Sequence, residues 1–155
     1  MEKNVRDSYA EQVHVLTQAN MNGYNRLFGG QLMEWIDVVA AVVARRHSGN
    51  NVTTAVVDTL SFKAPAHPND TLLVRGHITH VGNSSMEVCV KTYVENLDGT
   101  RKLINTAYLV MVALDENEKP VKVPGLRLEN DNEREEWQAA EKREALRKQR
   151  RAEKF

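Results

Sequence analysis

The sequence predicts an α+β fold in which one long central helix packs on a five-stranded antiparallel sheet, followed by a charged C-terminal helix. Three observations lead to this prediction. A single long helical pattern occupies residues 31–47, segments with the two-residue alternation of strands lie before and after it, and short turn sequences connect the later strands. Strands joined by tight turns pair antiparallel, and the long helix must then cover one face of the sheet.

Composition places the chain among single-domain globular proteins. It has 155 residues, 41% hydrophobic and 27% charged, so it can bury a core and does not resemble a disordered chain. Its 21 basic and 21 acidic residues cancel, which provides no general attraction to nucleic acid or acidic lipid. The apolar runs are too short to cross a bilayer, the charged first residues do not resemble a secretion signal, and one cysteine cannot form a disulfide framework. We therefore expect a cytoplasmic protein that binds neither nucleic acid nor membrane.

The first strand is predicted at residues 11–18, and a loop rich in Gly and Asn follows at 20–30. The helix at 31–47 contains no Pro and no internal Gly. Its apolar stripe consists of Leu32, Ile36, Val39 and Val43. Apolar residues also occupy much of the far side of this helix, which predicts that a further element, such as a second subunit, covers it.

The remaining strands follow the helix. They are predicted at residues 52–63, 72–81, 86–95 and 103–114, where apolar and polar residues alternate. The dipeptide Asp98-Gly99 is typical of a hairpin turn. The last segment is the most apolar of the four, which predicts a central strand.

Residues 128–155 have the composition of a charged helical extension. Acidic residues dominate its first half and basic residues its second half, the order that complements a helix dipole. Asp131 or Asn132 is the predicted N-cap, with Glu135 near the third helical position. We expect this helix to be mostly solvated, and the acidic residues within its basic half argue against a nucleic-acid-binding arm.

Several familiar sites are absent or disfavoured. The chain contains no nucleophile elbow, no phosphate-binding loop and no dinucleotide fingerprint. His77 and His80 lie three residues apart in a predicted strand, so we expect them to face opposite sides of the sheet and to share no metal. Cys89 lies inside an alternating strand without a neighbour that would activate it, which favours a structural thiol.

Two features point to chemistry on carbonyl compounds. Gly29 and Gly30 precede the long helix, whose first backbone N–H groups are unpaired and can bind a developing oxyanion. The alternative interpretation is a tight loop. Asp37 lies two turns into an apolar helix, where a carboxylate is costly unless it is paired or used. A hydrogen-bonded structural Asp and a catalytic base are both compatible with this position.

Several segments, taken in order, resemble one protein family. They are NGYNRLFGG at 22–30, LMEWID at 32–37, ARRH at 44–47, VTTAVVDTLSFKAP at 52–65, VGNSSMEV at 81–88 and VALDENEKPVKVP at 112–124. Together they resemble the hotdog-fold acyl-CoA thioesterases, and more closely the group of the cytosolic brain-type acyl-CoA hydrolase and bacterial YciA. The resemblance implies a hotdog domain at 8–127 that forms dimers and commonly hexamers of three dimers. His47 and Asp58 also match recurrent family positions, and we assign both structural roles.

The resemblance implies a catalytic role for three residues. Asp37 matches the general base, or nucleophile, of thioester hydrolysis. Asn22 matches the residue that helps to hold the water and the thioester, and it comes from the other hotdog of a pair. The backbone of Gly30, with Gly29 beside it, matches the donor to the thioester carbonyl. Asn25 departs from the family pattern, because relatives often have Gly there, which puts the detailed shape of the loop in question.

The resemblance also implies how substrate binds. The segment that lies along coenzyme A is matched by Gly82, Ser84 and Ser85. No metal or redox cofactor is implied, because coenzyme A is part of the substrate. Two alternatives remain, a hotdog hydratase or dehydratase and a non-catalytic acyl-CoA sensor. The absence of His between His14 and His47 disfavours the first, and the presence of both Asn22 and Asp37 disfavours the second.

Overall fold

The computed structural model describes residues 1–155, which form seven strands, two α-helices and two three-residue 3-10 helices. In chain order the strands and α-helices are β1 (Glu2–Asn4), β2 (Ala10–Val15), α1 (Gly29–Ser48), β3 (Asn51–Phe62), β4 (Thr71–Val81), β5 (Ser85–Glu95), β6 (Arg101–Leu114), β7 (Gly125–Arg127) and α2 (Asp131–Glu153). Five strands form an antiparallel sheet in the order β2-β4-β5-β6-β3, while β1 and β7 form a separate parallel pair. The predicted arrangement of a long helix on a five-stranded antiparallel sheet is confirmed. Neither helix is long and apolar enough to span a membrane.

Helix α1 covers one face of the sheet, here called the inner face. Its predicted apolar stripe is the centre of the core, since Leu32, Ile36, Val39 and Val43 are all at most 1% exposed. The helix ends at Gly49, whose left-handed backbone (φ 69°) lets its N–H bond to Arg45. Basic residues in the last turn complement the helix dipole.

The sheet approaches α1 most closely at Gly76 in β4. A Cβ atom at this position would lie 2.7 Å from Cγ1 of Val39 and 3.2 Å from Cγ2 of Val43. Only glycine allows this separation without displacing the helix. The strand therefore contributes to the core through its backbone as well as through its side chains.

Strand β3 is an edge strand that pairs only with β6. Its pairing is interrupted twice, between Thr54 and Val56 and between Val57 and Thr59, so that β3 contains two residues, Ala55 and Asp58, without a partner on β6. Such bulges bend and twist a strand. Much of β3 is exposed in the single chain, in agreement with the predicted need for a further covering element.

Helix α2 lies on the opposite, outer face of the sheet. Only Ala140 is fully buried in this helix, but Arg143 and Arg147 bond to Glu87 of β5, and Arg147 and Arg150 bond to Asp58 of β3. The helix is therefore solvated on one side and held to the sheet by charged groups on the other. The predicted N-cap is wrong by one or two residues: Asn130 is the cap, and its Oδ1 accepts the N–H of Glu133 at 2.9 Å.

Candidate active site

The N-terminus of α1 lies beside two exposed aromatic rings. Gly29 and Gly30 form the first turn of the helix, which therefore begins before the predicted residue 31. A Cβ atom on Gly30 would lie only 2.7 Å from the ring of Phe28, whereas one on Gly29 would lie at an ordinary 3.6 Å from the ring of Phe62. Gly30 is thus the glycine that the local packing requires. The N–H groups of this first turn have no partner within the helix and are available to an acceptor.

The loop before this helix holds Asn22 in a fixed orientation. Its Oδ1 accepts the backbone N–H of Tyr24 at 2.9 Å and of Arg26 at 3.2 Å. The loop contains Asn25 in the left-handed region (φ 59°), which asparagine tolerates, so glycine is not needed there. Because its oxygen is used by the loop, the exposed Asn22 side chain presents its NH₂ group as a hydrogen-bond donor.

Asp37 lies on the face of α1 that points away from its own sheet core. Thr54 of β3 donates a hydrogen bond from Oγ1 to Asp37 Oδ1 at 2.6 Å. The predicted burial of Asp37 is wrong for the single chain, where this side chain is exposed. The apolar neighbours along the helix, such as Val38 at 44% exposure, are uncovered as well. Thr54 was not predicted from the sequence, because strand periodicity alone does not show which threonine faces the helix.

The hairpin between β4 and β5 contains the three residues matched to coenzyme A binding. Gly82 donates its N–H to the carbonyl oxygen of Ser85 at 2.9 Å, and a Cβ on Gly82 would lie 2.6 Å from Ser85 Oγ. The carbonyl oxygen of Ser84 accepts the N–H of Ala113 at 3.0 Å. The turn is therefore tight and tied to the end of β6.

These predicted residues form two groups at opposite ends of β3. Gly29 lies near Phe62 at the end of the strand, together with the loop that carries Asn22. Thr54 and Asp37 lie near its beginning, and Ser85 lies at the same end because Ser85 and Thr53 both pair with Val112. Gly30 and Asp37 are about 10 Å apart along the helix axis. At this separation, one carbonyl group and its attacking water cannot contact both residues of the same chain.

The histidines of β4 differ from their prediction. His77 and His80 both face α2, because Thr79 forms a bulge between them and reverses the alternation of the strand. His77 Nε2 lies 2.6 Å from Glu136, and His80 stacks on Trp137 with ring centroids 4.0 Å apart. No group of three or more His, Cys, Asp or Glu side chains is arranged as a metal cluster.

Burial shifts the pKa of two further groups. Burial raises the pKa of the Cys89 thiol to about 11, which makes it inert at neutral pH and is consistent with the predicted structural role. Burial also lowers the pKa of His47, whose Nε2 lies 2.8 Å from the carbonyl oxygen of Pro124. His47 thus ties the end of α1 to the segment that leads into β7.

Comparison with protein families matches residues 24–99 to the model of the thioesterase superfamily. The chain is 43% identical over 113 residues to an uncharacterized acyl-CoA thioester hydrolase, YkhA, of Bacillus subtilis, covering 72% of this chain and 66% of that protein. It is 28% identical to mouse acyl-coenzyme A thioesterase 11, covering 88% of this chain but only 23% of that protein.

Solved structures extend the similarity to nearly the whole chain. An acyl-CoA hydrolase from Staphylococcus aureus, in complex with butyryl coenzyme A and coenzyme A, superposes with a TM-score of 0.94 at 34% identity, covering 99% of this chain and 94% of that one. The chain belongs to the thioesterase superfamily. A hexameric acyl-CoA thioesterase superposes with a TM-score of 0.93 at 35% identity, covering 97% of both chains. The hotdog fold expected from the sequence is confirmed, and each of the relatives described above is named as an acyl-CoA hydrolase or thioesterase.

Proposed function

We propose that this protein hydrolyses fatty acyl-CoA to a free carboxylic acid and coenzyme A, with Asp37 as the general base. The observation that carries the proposal is the exposed carboxylate of Asp37, held by Thr54; a second copy of the chain would supply the free N–H donors at the start of its own α1. Hydrolysis of a thioester needs these two functions, a base for water and a site for the oxyanion. The names of the related hydrolases support the same activity.

Each proposed residue acts at a stated step. The backbone N–H of Gly30, with Gly29 beside it, polarises the thioester carbonyl, and the helix dipole favours the negative charge that develops there. Asn22 donates its NH₂ group to the water or the thioester. Asp37 takes one proton from the water as its oxygen attacks the carbonyl carbon. The carbon–sulfur bond then breaks, and the thiolate of coenzyme A receives the proton from Asp37.

The proposed site is shared between two subunits. Antiparallel pairing of β3 with β3 of a second copy would place Asn22 and Gly30 of one chain near Asp37 and Thr54 of the other. In the Staphylococcus aureus enzyme, structures have been solved for alanine variants of an asparagine, an aspartate and a threonine whose spacing equals that of Asn22, Asp37 and Thr54. This match supports the choice of these three residues.

We propose that the protein forms a homodimer, and that three such dimers assemble into a hexamer. Hexameric assembly of a structural neighbour supports it. The turn with Gly82, Ser84 and Ser85 would contact coenzyme A, which enters as part of the substrate. The steps above require no metal and no redox cofactor. We further propose that the protein works in the cytoplasm without a nucleic-acid or membrane partner.

Replacement of Asp37 tests the proposed base. Asp37→Asn retains the shape of the side chain but removes its basicity, so thiol release from acyl-CoA should fall by about 10²–10⁴-fold. Binding of coenzyme A should persist. Glu34→Gln is the matched control, because Glu34 is another exposed carboxylate on the same helix and should be dispensable. Turnover of Asp37→Asn within a few-fold of the wild type would reject the assignment.

Mixed subunits test the shared site. Asn22→Ala and Asp37→Ala should each be inactive, yet in a heterodimer one site receives both changes and the other neither. Random mixing of equal amounts should then restore about a quarter of wild-type activity, if the sites of a symmetric dimer act independently. Differently tagged chains verify the exchange. Absence of recovery in verified heterodimers would place both residues in one subunit.

A further inference from the structure

Two side chains of β3 face opposite layers of the molecule although they are four residues apart. Thr54 bonds to Asp37 of α1 on the inner face, and Asp58 bonds to Arg147 and Arg150 of α2 on the outer face. In a regular strand, residues separated by four positions lie on the same face. The bulge at Ala55, which lies between them, changes this relation. Both contacts therefore exist together only while β3 keeps its bulged form.

The second bulge is held by α2. Asp58 is the residue that has no partner on β6, and its side chain is 2% exposed. Arg147 Nη1 donates to its Oδ2 at 2.8 Å, and Arg150 Nη2 donates to its Oδ1 at 2.6 Å. Hydrogen bonds between charged groups are strong, and a buried carboxylate is costly to leave unpaired. These contacts of Arg147 and Arg150 with Asp58 are called the arginine clamp below.

We infer that the arginine clamp positions the catalytic apparatus, with Asp58, Arg147 and Arg150 acting through Thr54 on Asp37. If the bulge at Asp58 relaxed, the extra residue would move along β3, and a shift of one residue turns the preceding side chains to the other face. Thr54 would then lose its hydrogen bond to Asp37. The inference rests on the proposed role of Asp37 as the base, and it gives α2 a part in the turnover of an acyl-CoA substrate.

Glu87 provides a matched control within the same interface. Its side chain is also 2% exposed, and it bonds to Arg143 and Arg147 of α2. It differs in location, because it lies in β5, whose ladder with β6 is regular from Ser85 to Thr92. Loss of its charge should weaken the attachment of α2 without altering β3.

The experiment compares Asp58→Asn with Glu87→Gln in the full-length, assembled protein. Both variants should lower the thermal unfolding midpoint. Asp58→Asn should also lower kcat for thiol release by about tenfold, with KM unchanged within about twofold, while Glu87→Gln keeps the wild-type kcat. An equal loss of kcat in both variants would show a general effect of α2 and would overturn the inference.

A double-mutant cycle tests the connection through Thr54. If the clamp acts through this residue, Asp58→Asn should lower kcat little further in a Thr54→Ala background. Losses that multiply in the double variant would overturn the inference. If Asp58→Asn does not fold, Arg150→Met is used instead, because Asp58 then keeps its bond to Arg147. We expect a smaller loss of kcat in Arg150→Met, and this loss should disappear in the Thr54→Ala background. A folded Arg150→Met with wild-type kcat would contradict the clamp.

Failure of the inference differs from failure of the proposed function. Near-normal turnover of Asp37→Asn would show that Asp37 is not the base, and the proposed function of this residue would be rejected. A large loss of turnover in Asp37→Asn, combined with equal kcat values for Asp58→Asn and Glu87→Gln, would support Asp37 as the base. It would reject only the role of the arginine clamp.

Discussion

The two faces of the sheet are covered by helices that are attached in different ways. On the inner face, α1 contributes eight buried residues, and its apolar stripe is almost completely shielded from water. On the outer face, α2 fully buries only Ala140, and its contacts are dominated by arginines bonded to Asp58 and Glu87. Apolar burial is non-directional and tolerates small shifts, whereas ion pairs require each donor to meet its acceptor. The inner layer is therefore held mainly by apolar burial, and the outer layer has its closest contacts through charged hydrogen bonds.

The largest effect on stability should come from the inner layer. Ile36→Ala removes a side chain that is 1% exposed in the centre of the α1 stripe. The free energy of unfolding should fall by about 2–5 kcal/mol, because burial is lost and a cavity remains. Urea denaturation measures the change, and salt should not restore it. A loss below about 1 kcal/mol would indicate that the α1 layer is loosely packed, contrary to the comparison.

A smaller effect is expected at the outer layer. Arg143→Met removes two hydrogen bonds to Glu87, at 2.8 and 3.0 Å, and a guanidinium that lies 3.7 Å from the ring centroid of Tyr108. Because Glu87 keeps Thr79 and Arg147, we expect a loss of about 1–3 kcal/mol in the same assay. Lys148→Met is the control. Its exposed pair with Glu144 should contribute at most about 0.5 kcal/mol, and equal losses would mean that burial does not distinguish the two pairs.

The pH dependence of stability should be weaker still and should involve both layers. Burial lowers the pKa of His47 on α1 and of His80 beneath α2, although Glu144, Glu87 and Glu141 oppose the effect at His80. Below about pH 6.5 an unfolded chain binds protons that these folded histidines do not, so stability is present above that pH and is lost as pH falls. Each histidine contributes less than about 1.4 kcal/mol per pH unit.

Urea midpoints at several pH values between 5.5 and 7.5 measure this slope. His47→Gln should flatten it, because the buried imidazole no longer resists protonation. A slope that is independent of His47 would assign the pH dependence to other groups.

The sequence predicted the inner layer better than the outer one. An apolar stripe with helical period has one physical explanation, burial against a neighbouring element, and the α1 stripe is buried as predicted. A charged residue on a helix can be either solvated or paired with an opposite charge. The spacing of charged residues in the sequence does not distinguish these two cases. For this reason α2 was predicted as a helix, while its contacts with Asp58 and Glu87 were not.

Bulges caused the remaining differences at the site. A strand pattern read with a strict period of two places His77 and His80 on opposite faces, and the bulge at Thr79 places them on one face. The contact of Thr54 with Asp37 was also not predicted, because the strand pattern of β3 does not show which threonine faces α1. The predicted burial of Asp37 followed from its apolar neighbours, but these neighbours lie on the open side of α1. The local sequence indicates whether the neighbours of a residue along the chain are polar or apolar. Whether the residue is buried also depends on how elements and chains pack together.

The free edge of β3 could pair with strands of other chains while the protein is being synthesised. A newly made chain exposes a twelve-residue strand whose unpaired backbone groups could accept a strand from any other nascent chain. The two bulges divide that edge into short regular stretches, and an irregular edge is a poor template for extended cross-strand aggregation. Ala55 and Asp58 therefore make the edge of β3 a less regular template for pairing with another strand. Deletion of either residue would give a straighter edge and a more aggregation-prone newly synthesised protein.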